Sequence, residues 1–135
     1  MLNAIEKGDC EAFSQFLSAQ LMDSISFFDY KEDYYHGFLA GILKCFQKYA
    51  VRSNREIGEG RSDLILEDYE TGEKGIIIEI KVASKFNEME KECDKAFAQI
   101  EDLQYEHELR EAGYQDIVKY GVCFFKKRCI VKRAE

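Results

Sequence analysis

The stretches SDLIL (residues 62–66) and IIIEIK (residues 76–81) decide how this chain folds. Both are short apolar runs with strand character, and ETGE (residues 70–73) between them predicts a hairpin turn. The three successive isoleucines indicate that both faces of the second strand are buried. We therefore predict that this strand is central in a β-sheet.

The same hairpin carries two carboxylates and a lysine at positions that strand geometry brings together. Side chains alternate between faces along a strand, so Glu79 and Lys81 share one face. Neighbouring strands lie about 4.8 Å apart, which lets Asp63 on the preceding strand reach Glu79. Charges in an otherwise buried strand cost free energy unless they are paired or used.

Two carboxylates beside a lysine suit a hard divalent cation, which prefers oxygen ligands. Such a cation lowers the pKa of a bound water and polarises a phosphate, and Lys81 is placed to assist that water. The pattern is therefore typical of phosphodiester cleavage. The structural alternative is a surface ion-pair network on an edge hairpin, which the isoleucine run disfavours.

Helices are predicted ahead of this hairpin. Asp9 begins an amphipathic helix over residues 9–23. Asp33 is predicted to cap a second amphipathic helix, in which Gly37 and Gly41 are expected to allow close backbone approach.

A long third helix is predicted to open at Asn87, with Glu90 as its capping-box partner. The last two strands are predicted to be joined by a Lys126–Lys127 turn. The predicted strands are residues 51–55, 61–67, 74–82, 117–125 and 129–132. The order is α, α, β, β, β, α, β, β, which implies an α/β fold with a central mixed sheet flanked by helices.

Length and composition indicate a single globular domain. The chain has 135 residues, a formal net charge of −7 and 46% hydrophobic residues, and no Gly/Ser/Pro-rich linker divides it. Five cysteines without a C-x-x-C pair disfavour a zinc ribbon or a disulfide framework, and only two histidines exclude a multi-histidine metal site. This cysteine usage fits a reducing cytoplasm, which is the location that we expect. The sequence shows no signal-peptide pattern at residues 1–10 and no apolar run long enough to span a bilayer.

Several further motifs accompany the hairpin, and together they identify a family. They are YYHGFL (residues 34–39), SNRE (53–56), GEGRSD (58–63), EIK (79–81) and KYGV (119–122). With them the chain resembles the PD-(D/E)XK nuclease superfamily, which has a restriction-endonuclease-like fold. The resemblance is to the branch formed by the nuclease-like domain at the carboxyl end of bacterial AAA-ATPase-like proteins, and it covers nearly the whole chain.

The resemblance implies a restriction-endonuclease-like core within one domain over residues 1–135, with residues 1–28 as a helical lead-in and residues 29–135 as the core. It also implies a role for each residue of the central motif. Asp63 and Glu79 would bind Mg²⁺ or Mn²⁺, helped by the backbone carbonyl of Ile80. Lys81 would orient the attacking water or stabilise the developing charge. Glu32 would add a further metal-ligating carboxylate.

The resemblance also implies supporting residues. Glu56 would supplement the site or brace its loop. Gln99 would contribute from the helix after the E-x-K strand, or it would simply hydrogen-bond the sheet edge. Relatives with such a glutamine place a tyrosine four residues later, whereas Tyr105 here follows by six, so its role is not carried over. His36 is interpreted as a buried or capping histidine, with a contact to phosphate or metal-site water as the alternative.

Positive charge is concentrated in two segments despite the negative total. Residues 88–111 carry a net charge of −6, whereas residues 44–61 carry +3 and residues 126–133 carry +5. We therefore expect salt-dependent nucleic-acid contacts from Arg55, Arg61, Lys126 and Lys127. The alternative for the second segment is a solvated hairpin that guards a sheet edge against aggregation.

The motif and the resemblance together predict a divalent-metal-dependent nuclease domain, with DNA as the expected substrate. The resemblance also implies an AAA-ATPase-like domain or protein as a partner. The alternative is a non-catalytic module that binds nucleic acid or docks to that partner. The presence of both acids and the lysine favours catalysis. No membrane association is expected, and the sequence leaves a homo-oligomer open.

Overall fold

The computed structural model describes residues 2–23, 32–56, 61–103 and 105–134. Along these ranges the chain forms helices, a short 3₁₀ turn and the strands of one sheet. In chain order they are α1 (Leu2–Lys7), α2 (Cys10–Asp23), α3 (Glu32–Lys44), β1 (Tyr49–Glu56), β2 (Arg61–Asp68), β3 (Lys74–Val82), the 3₁₀ turn (Phe86–Glu88), α4 (Met89–Leu103), α5 (Tyr105–Glu111), β4 (Asp116–Phe125) and β5 (Arg128–Ala134).

The strands pair in the order β1-β2-β3-β4-β5. β3 and β4 are parallel, and the other neighbouring pairs are antiparallel. A parallel pair needs a crossover connection, which α4 and α5 supply. The central position of β3 is confirmed, since it has a neighbour on each side and its residues from Gly75 to Ile80 are buried. The predicted α/β fold, a restriction-endonuclease-like mixed sheet flanked by helices, is confirmed.

Side-chain alternation gives the sheet two faces with separate cores. Leu64 and Ile78 face one side, where they pack with residues of α1, α2 and α3. Ile65 and Ile77 face the other side, where they pack with Ile100, Tyr105 and Leu109 of α4 and α5. Each strand residue is thereby assigned to the α1–α3 face or to the α4–α5 face.

Helix α1 is attached to the sheet by polar contacts. The Glu6 Oε2 atom accepts hydrogen bonds from Lys48 Nζ at 2.9 Å and from Tyr49 OH at 2.7 Å. The backbone carbonyl of Glu6 accepts another from Lys74 Nζ at 2.6 Å. Lys48 also forms an ion pair with Asp68 at 3.6 Å. These contacts hold the amino-terminal helix against β1 and β3.

The strand predictions are confirmed to within two residues at each end. Asp9 caps α2 as predicted, since its Oδ1 atom accepts a hydrogen bond from the Ala12 amide at 3.1 Å. Two other caps are wrong. Asp33 lies inside α3, which begins at Glu32. Asn87 lies within the 3₁₀ turn and does not open α4, because the chain already turns at Phe86 after leaving β3.

The prediction of close backbone approach at Gly37 and Gly41 is also wrong. A Cβ atom at either position would have no atom of another described element within 4 Å. Helix α3 instead packs on the sheet through its large apolar side chains, among them Tyr35, Leu39 and Leu43. No helix in the described ranges is long and apolar enough to cross a membrane.

Candidate active site

Asp63 and Glu79 are direct neighbours across the β2–β3 pair, where the antiparallel register sets their Cα atoms opposite each other. Asp63 lies two residues before Ile65, and Glu79 lies two residues after Ile77. Because residues two apart in a strand share a face, both carboxylates face α4 and α5. Both side chains are buried, with 1% and 0% of their surface exposed. The structure thus brings the two predicted carboxylates together inside the protein.

Glu79 is the more unusual of the two. Both of its carboxylate oxygens are buried, and neither has a hydrogen-bond partner within the part of the chain that the structure describes. Burial of an uncompensated carboxylate costs on the order of several kcal/mol. A divalent cation would compensate that charge, and adjacent carboxylates are the oxygen ligands that Mg²⁺ and Mn²⁺ prefer. These residues therefore fit the metal that the resemblance implies.

The described side chains offer this pair of carboxylates but no group of three or more His, Cys, Asp or Glu that could hold a metal ion. Ile80, the predicted backbone ligand, lies between Glu79 and Lys81 and pairs with Val122 of β4. Its side chain packs in the core on the α1–α3 face.

Tyr105 is a site residue to which the sequence assigned no role. Its hydroxyl donates a hydrogen bond to Asp63 Oδ2 at 2.9 Å, and its ring is buried beside Ile65 and Ile77. Tyr105 is the first residue of α5 and follows Gln99 by six residues. The sequence lacks a local signal for this role, because the contact with Asp63 depends on how α5 packs on the sheet.

Lys81 follows Glu79 by two residues on the same strand face and is half-buried. On the other side of Glu79, Gly121 of β4 is its register partner. A Cβ atom at Gly121 would lie only 2.9 Å from the carbonyl oxygen of Cys93. The glycine therefore lets α4 lie directly on the sheet beside Glu79.

The Cys93 thiol next to this contact is not a nucleophile at neutral pH. Its Sγ atom donates to the Gly121 carbonyl at 3.0 Å. Burial raises the pKa of the Cys93 thiol to about 12, so the thiol stays protonated. Cys93 therefore has a packing role in this site.

The candidate site and part of the predicted positive charge lie at the same end of the sheet. Because β3 and β4 are parallel, the end of β3 that carries Lys81 lies beside the carboxyl end of β4. There β4 continues into the turn of Lys126 and Lys127. The Tyr35 hydroxyl, one turn into α3, donates to the Lys126 carbonyl at 2.7 Å. The start of α3, which contains Glu32, is therefore near this end as well.

Arg55 and Arg61 have their backbone at this same end. Arg55 lies near the end of β1 and Arg61 begins β2, where it pairs with Glu56, two residues before Asp63. Gln99 lies in α4, one turn after Ala96, which is buried. The side chains of five predicted residues lie outside what the structure describes, and their roles stay predictions: Glu32, Arg55, Glu56, Arg61 and Gln99.

His36 lies on the α1–α3 face, away from Glu79. Its Nε2 atom contacts the Ser53 hydroxyl, and Ser53 pairs with Leu64 of that face. Burial, with a smaller contribution from the charge of Lys44, lowers the pKa of His36 below 6.5. A neutral, buried ring agrees with the interpretation of His36 as a structural histidine.

The family model of the PD-(D/E)XK nuclease superfamily matches residues 30–134 of this chain. No curated protein and no solved structure matches it. The match covers more than half of the chain and includes the strands that carry Asp63, Glu79 and Lys81. The chain belongs to the PD-(D/E)XK nuclease superfamily.

Proposed function

We propose that this chain is a divalent-metal-dependent nuclease domain that hydrolyses phosphodiester bonds of nucleic acid, with DNA as its substrate. The observation that carries the proposal is the fully buried Glu79 carboxylate, which lacks a hydrogen-bond partner among the described residues and lies opposite Asp63. Superfamily membership supports it, because the superfamily comprises nucleases.

Each residue of the site has a distinct part in this proposal. Asp63 and Glu79 would hold Mg²⁺ or Mn²⁺, with the Ile80 carbonyl as a further ligand. When bound, the cation polarises the phosphate and lowers the pKa of a water molecule. Tyr105 orients Asp63 through the hydrogen bond to Oδ2. Lys81 would place its ammonium group beside the reacting phosphate and stabilise the charge that develops there.

Supporting residues would come from the same end of the sheet. We propose Glu32, at the start of α3, as an additional carboxylate for the metal. Glu56 and Gln99 would brace or supplement the site. Phosphate contacts would come from the basic residues near this end, namely Arg55, Arg61, Lys126 and Lys127.

The test is cleavage of single- and double-stranded DNA and RNA in Mg²⁺, in Mn²⁺ and in EDTA. The wild type is compared with Asp63→Asn, Glu79→Gln and Lys81→Met, and we expect each substitution to reduce metal-dependent cleavage at least about 100-fold. Glu67→Gln is the matched control. Glu67 is also an acid on β2, but it lies at the far end of the strand, where Tyr114 OH donates to it at 3.3 Å.

Three outcomes of that test separate the hypotheses. Cleavage that survives Glu79→Gln contradicts the proposed site. If cleavage requires the metal and Glu79 but occurs only with RNA, the substrate is RNA and not DNA. Absence of both cleavage and Mn²⁺ binding favours the non-catalytic module that docks to a partner.

We also propose that the chain works with an AAA-ATPase-like domain or protein. The support for this is the set of motifs at residues 34–39, 53–56, 58–63 and 119–122 that accompany the catalytic pattern. Copurification of the tagged chain with an ATP-hydrolysing protein is the experiment. An ATPase that accelerates cleavage by the wild type but not by Glu79→Gln would support the partnership.

A further inference from the structure

A groove of about 690 Å³ lies at the end of the sheet where β4 turns into β5. Its described lining is one methionine, two phenylalanine rings and three basic side chains: Met22, Phe86, Phe125, Lys126, Lys127 and Arg128. Every charged residue in this described lining is basic, although the chain has a net charge of −7. The groove thus combines apolar ring surface with local positive charge.

The two rings are held next to cations. Phe86 is 56% exposed, and its ring meets that of Phe125 at a centroid distance of 6.3 Å and an interplanar angle of 65°. The Arg128 guanidinium lies 4.8 Å from the Phe86 centroid, and Lys126 Nζ lies 5.4 Å from the Phe125 centroid. Cations at ring faces stabilise this arrangement without covering Phe86.

The groove adjoins the candidate active site. Lys81 pairs with Cys123, and Phe125 lies two residues further along β4, about 7 Å away along the strand. Phe125 packs with Cys123 and so lies on the α4–α5 face, which is also the face of Lys81. The hydrogen bond from Tyr35 to the Lys126 carbonyl fixes the turn that forms one wall of the groove.

We propose that this groove binds a single strand of nucleic acid, with one base stacked on Phe86 and the neighbouring phosphates held by Lys126, Lys127 and Arg128. Aromatic platforms beside basic side chains are how proteins bind unpaired strands, because every base has a face that stacks. Bases of a duplex already stack on each other and do not offer that face. The inference rests on the proposed nuclease function and specifies its substrate as a strand unpaired next to the scissile phosphate.

An acidic peptide with apolar side chains would match the same charge and ring surface. The nucleic-acid strand is favoured because Phe125 in the groove lies two residues along β4 from Cys123, the register partner of Lys81, so the groove lies beside the proposed catalytic lysine. Met22, which is 64% exposed, adds apolar surface to the groove lining.

The absence of tryptophan from the sequence provides a clean reporter. Phe86→Trp introduces a single indole into the groove, whose fluorescence is quenched when a base stacks on it. The full chain is titrated in EDTA with a single-stranded thymidine oligonucleotide of about 12 nucleotides, with its duplex form and with an acidic peptide. Tyr69→Trp is the matched control, because Tyr69 is 60% exposed but lies in the β2–β3 turn at the opposite end of the sheet.

Affinity is then measured by anisotropy of a labelled strand. We expect Phe86→Leu, which keeps the apolar character but removes the ring, to weaken binding at least about five-fold, whereas Tyr69→Leu leaves it unchanged. Lys126→Asn is chosen because asparagine tolerates the φ of 53° at this position. It should reduce the slope of log affinity against log salt by about 0.7.

Quenching by the single strand in Phe86→Trp but not in Tyr69→Trp, together with the affinity loss, supports the inference. It is overturned by equal affinity of Phe86→Leu and the wild type, by preferred binding of the duplex or of the peptide, or by no binding. Because EDTA prevents metal-dependent cleavage, the result is separate from the cleavage test. Binding through Phe86 without cleavage rejects the proposed function, and cleavage without such binding rejects the groove.

Discussion

Glu79 occupies a position that packing alone would give to an apolar side chain. It lies between Ile78 and Ile80 in the central strand, and all three are completely buried. The charge of such a side chain destabilises the folded state unless a partner compensates it. This cost is the reason why we propose Glu79 as a metal ligand, with Asp63 as its neighbour across the hairpin.

This placement predicts that Mn²⁺ stabilises the wild type but not Glu79→Gln. A ligand that binds only the folded state adds about 2.7 kcal/mol of unfolding free energy at 100 times its Kd. Without metal, Glu79→Gln should be at least as stable as the wild type, because it removes a buried charge. Urea unfolding with and without Mn²⁺ measures both effects, and Glu67→Gln serves as control. Equal stabilisation of Glu79→Gln by Mn²⁺ would contradict the assignment of Glu79 as a ligand.

Tyr105→Phe tests how strongly an orienting hydrogen bond contributes to the site. The ring would keep its packing, while Asp63 would lose the 2.9 Å bond to its Oδ2 atom. We expect Mn²⁺ affinity or cleavage to fall about 10–100-fold, as for other groups that orient metal ligands. Tyr114→Phe is the control, because it removes a hydroxyl bonded to Glu67 at the other end of β2. Similar losses in both variants would indicate a general packing effect.

Among the elements, α4 packs directly over the sheet beside Glu79. It lies on the sheet at Gly121, where only a glycine leaves room for the backbone of Cys93. Because Gly121 is the register partner of Glu79, a displaced α4 would uncover that carboxylate. Helix α5, which follows in the chain, contributes Tyr105, whose hydroxyl donates a hydrogen bond to Asp63.

Two glycine substitutions should therefore act in opposite directions. Gly121→Ala forces a contact of 2.9 Å with a backbone oxygen, and we expect a loss of about 1–3 kcal/mol in unfolding free energy. A Cβ atom at Gly41 in α3 would meet no atom beyond the helix's own neighbouring backbone within 4 Å, so Gly41→Ala, with the better helix former, should add about 0.5–1 kcal/mol. Urea unfolding of both variants checks this. An unchanged unfolding free energy in Gly121→Ala would mean that α4 can shift away from the new methyl group with little loss of stability.

At the scale of the whole molecule, the Glu6 carboxylate is one of the contacts that join α1 to the sheet. Burial alone would raise the pKa of Glu6, but hydrogen bonds from Lys48 and Tyr49 outweigh it. The pKa of Glu6 is therefore lowered below 4.5. Below pH 4.5 the unfolded chain binds the proton more readily than the folded one. The stability that Glu6 contributes is thus complete above that pH and is lost as the pH falls through the lowered value.

Glu6→Gln should accordingly cost about 1–3 kcal/mol at pH 7 and weaken the dependence of stability on pH below 4.5. Urea unfolding across this pH range is the measurement. Glu73→Gln, which changes an exposed carboxylate in the β2–β3 turn, is the control and should follow the wild type. If the unfolding free energy of Glu6→Gln changed with pH in parallel with that of the wild type, a group other than Glu6 would be responsible for the acid sensitivity.

The amino-acid sequence by itself determined the strands, their central hairpin and the pairing of Asp63 with Glu79. Hydrophobic alternation, isoleucine runs and turn residues are local signals, and a hairpin needs only neighbouring segments. Superfamily membership also follows from the sequence. The helix caps at Asp33 and Asn87 were wrong because helix ends depend on how the chain packs on the sheet.

Only the tertiary structure decided which distant residues complete the site. Tyr105 and Asp63 are 42 residues apart and meet because α5 packs on the sheet face that carries Asp63. Gly121 matters only because α4 packs across it, and Phe86 meets Phe125 only because β3 and β4 run parallel. Such contacts depend on the relative placement of whole elements, for which no stretch of sequence carries a local signal.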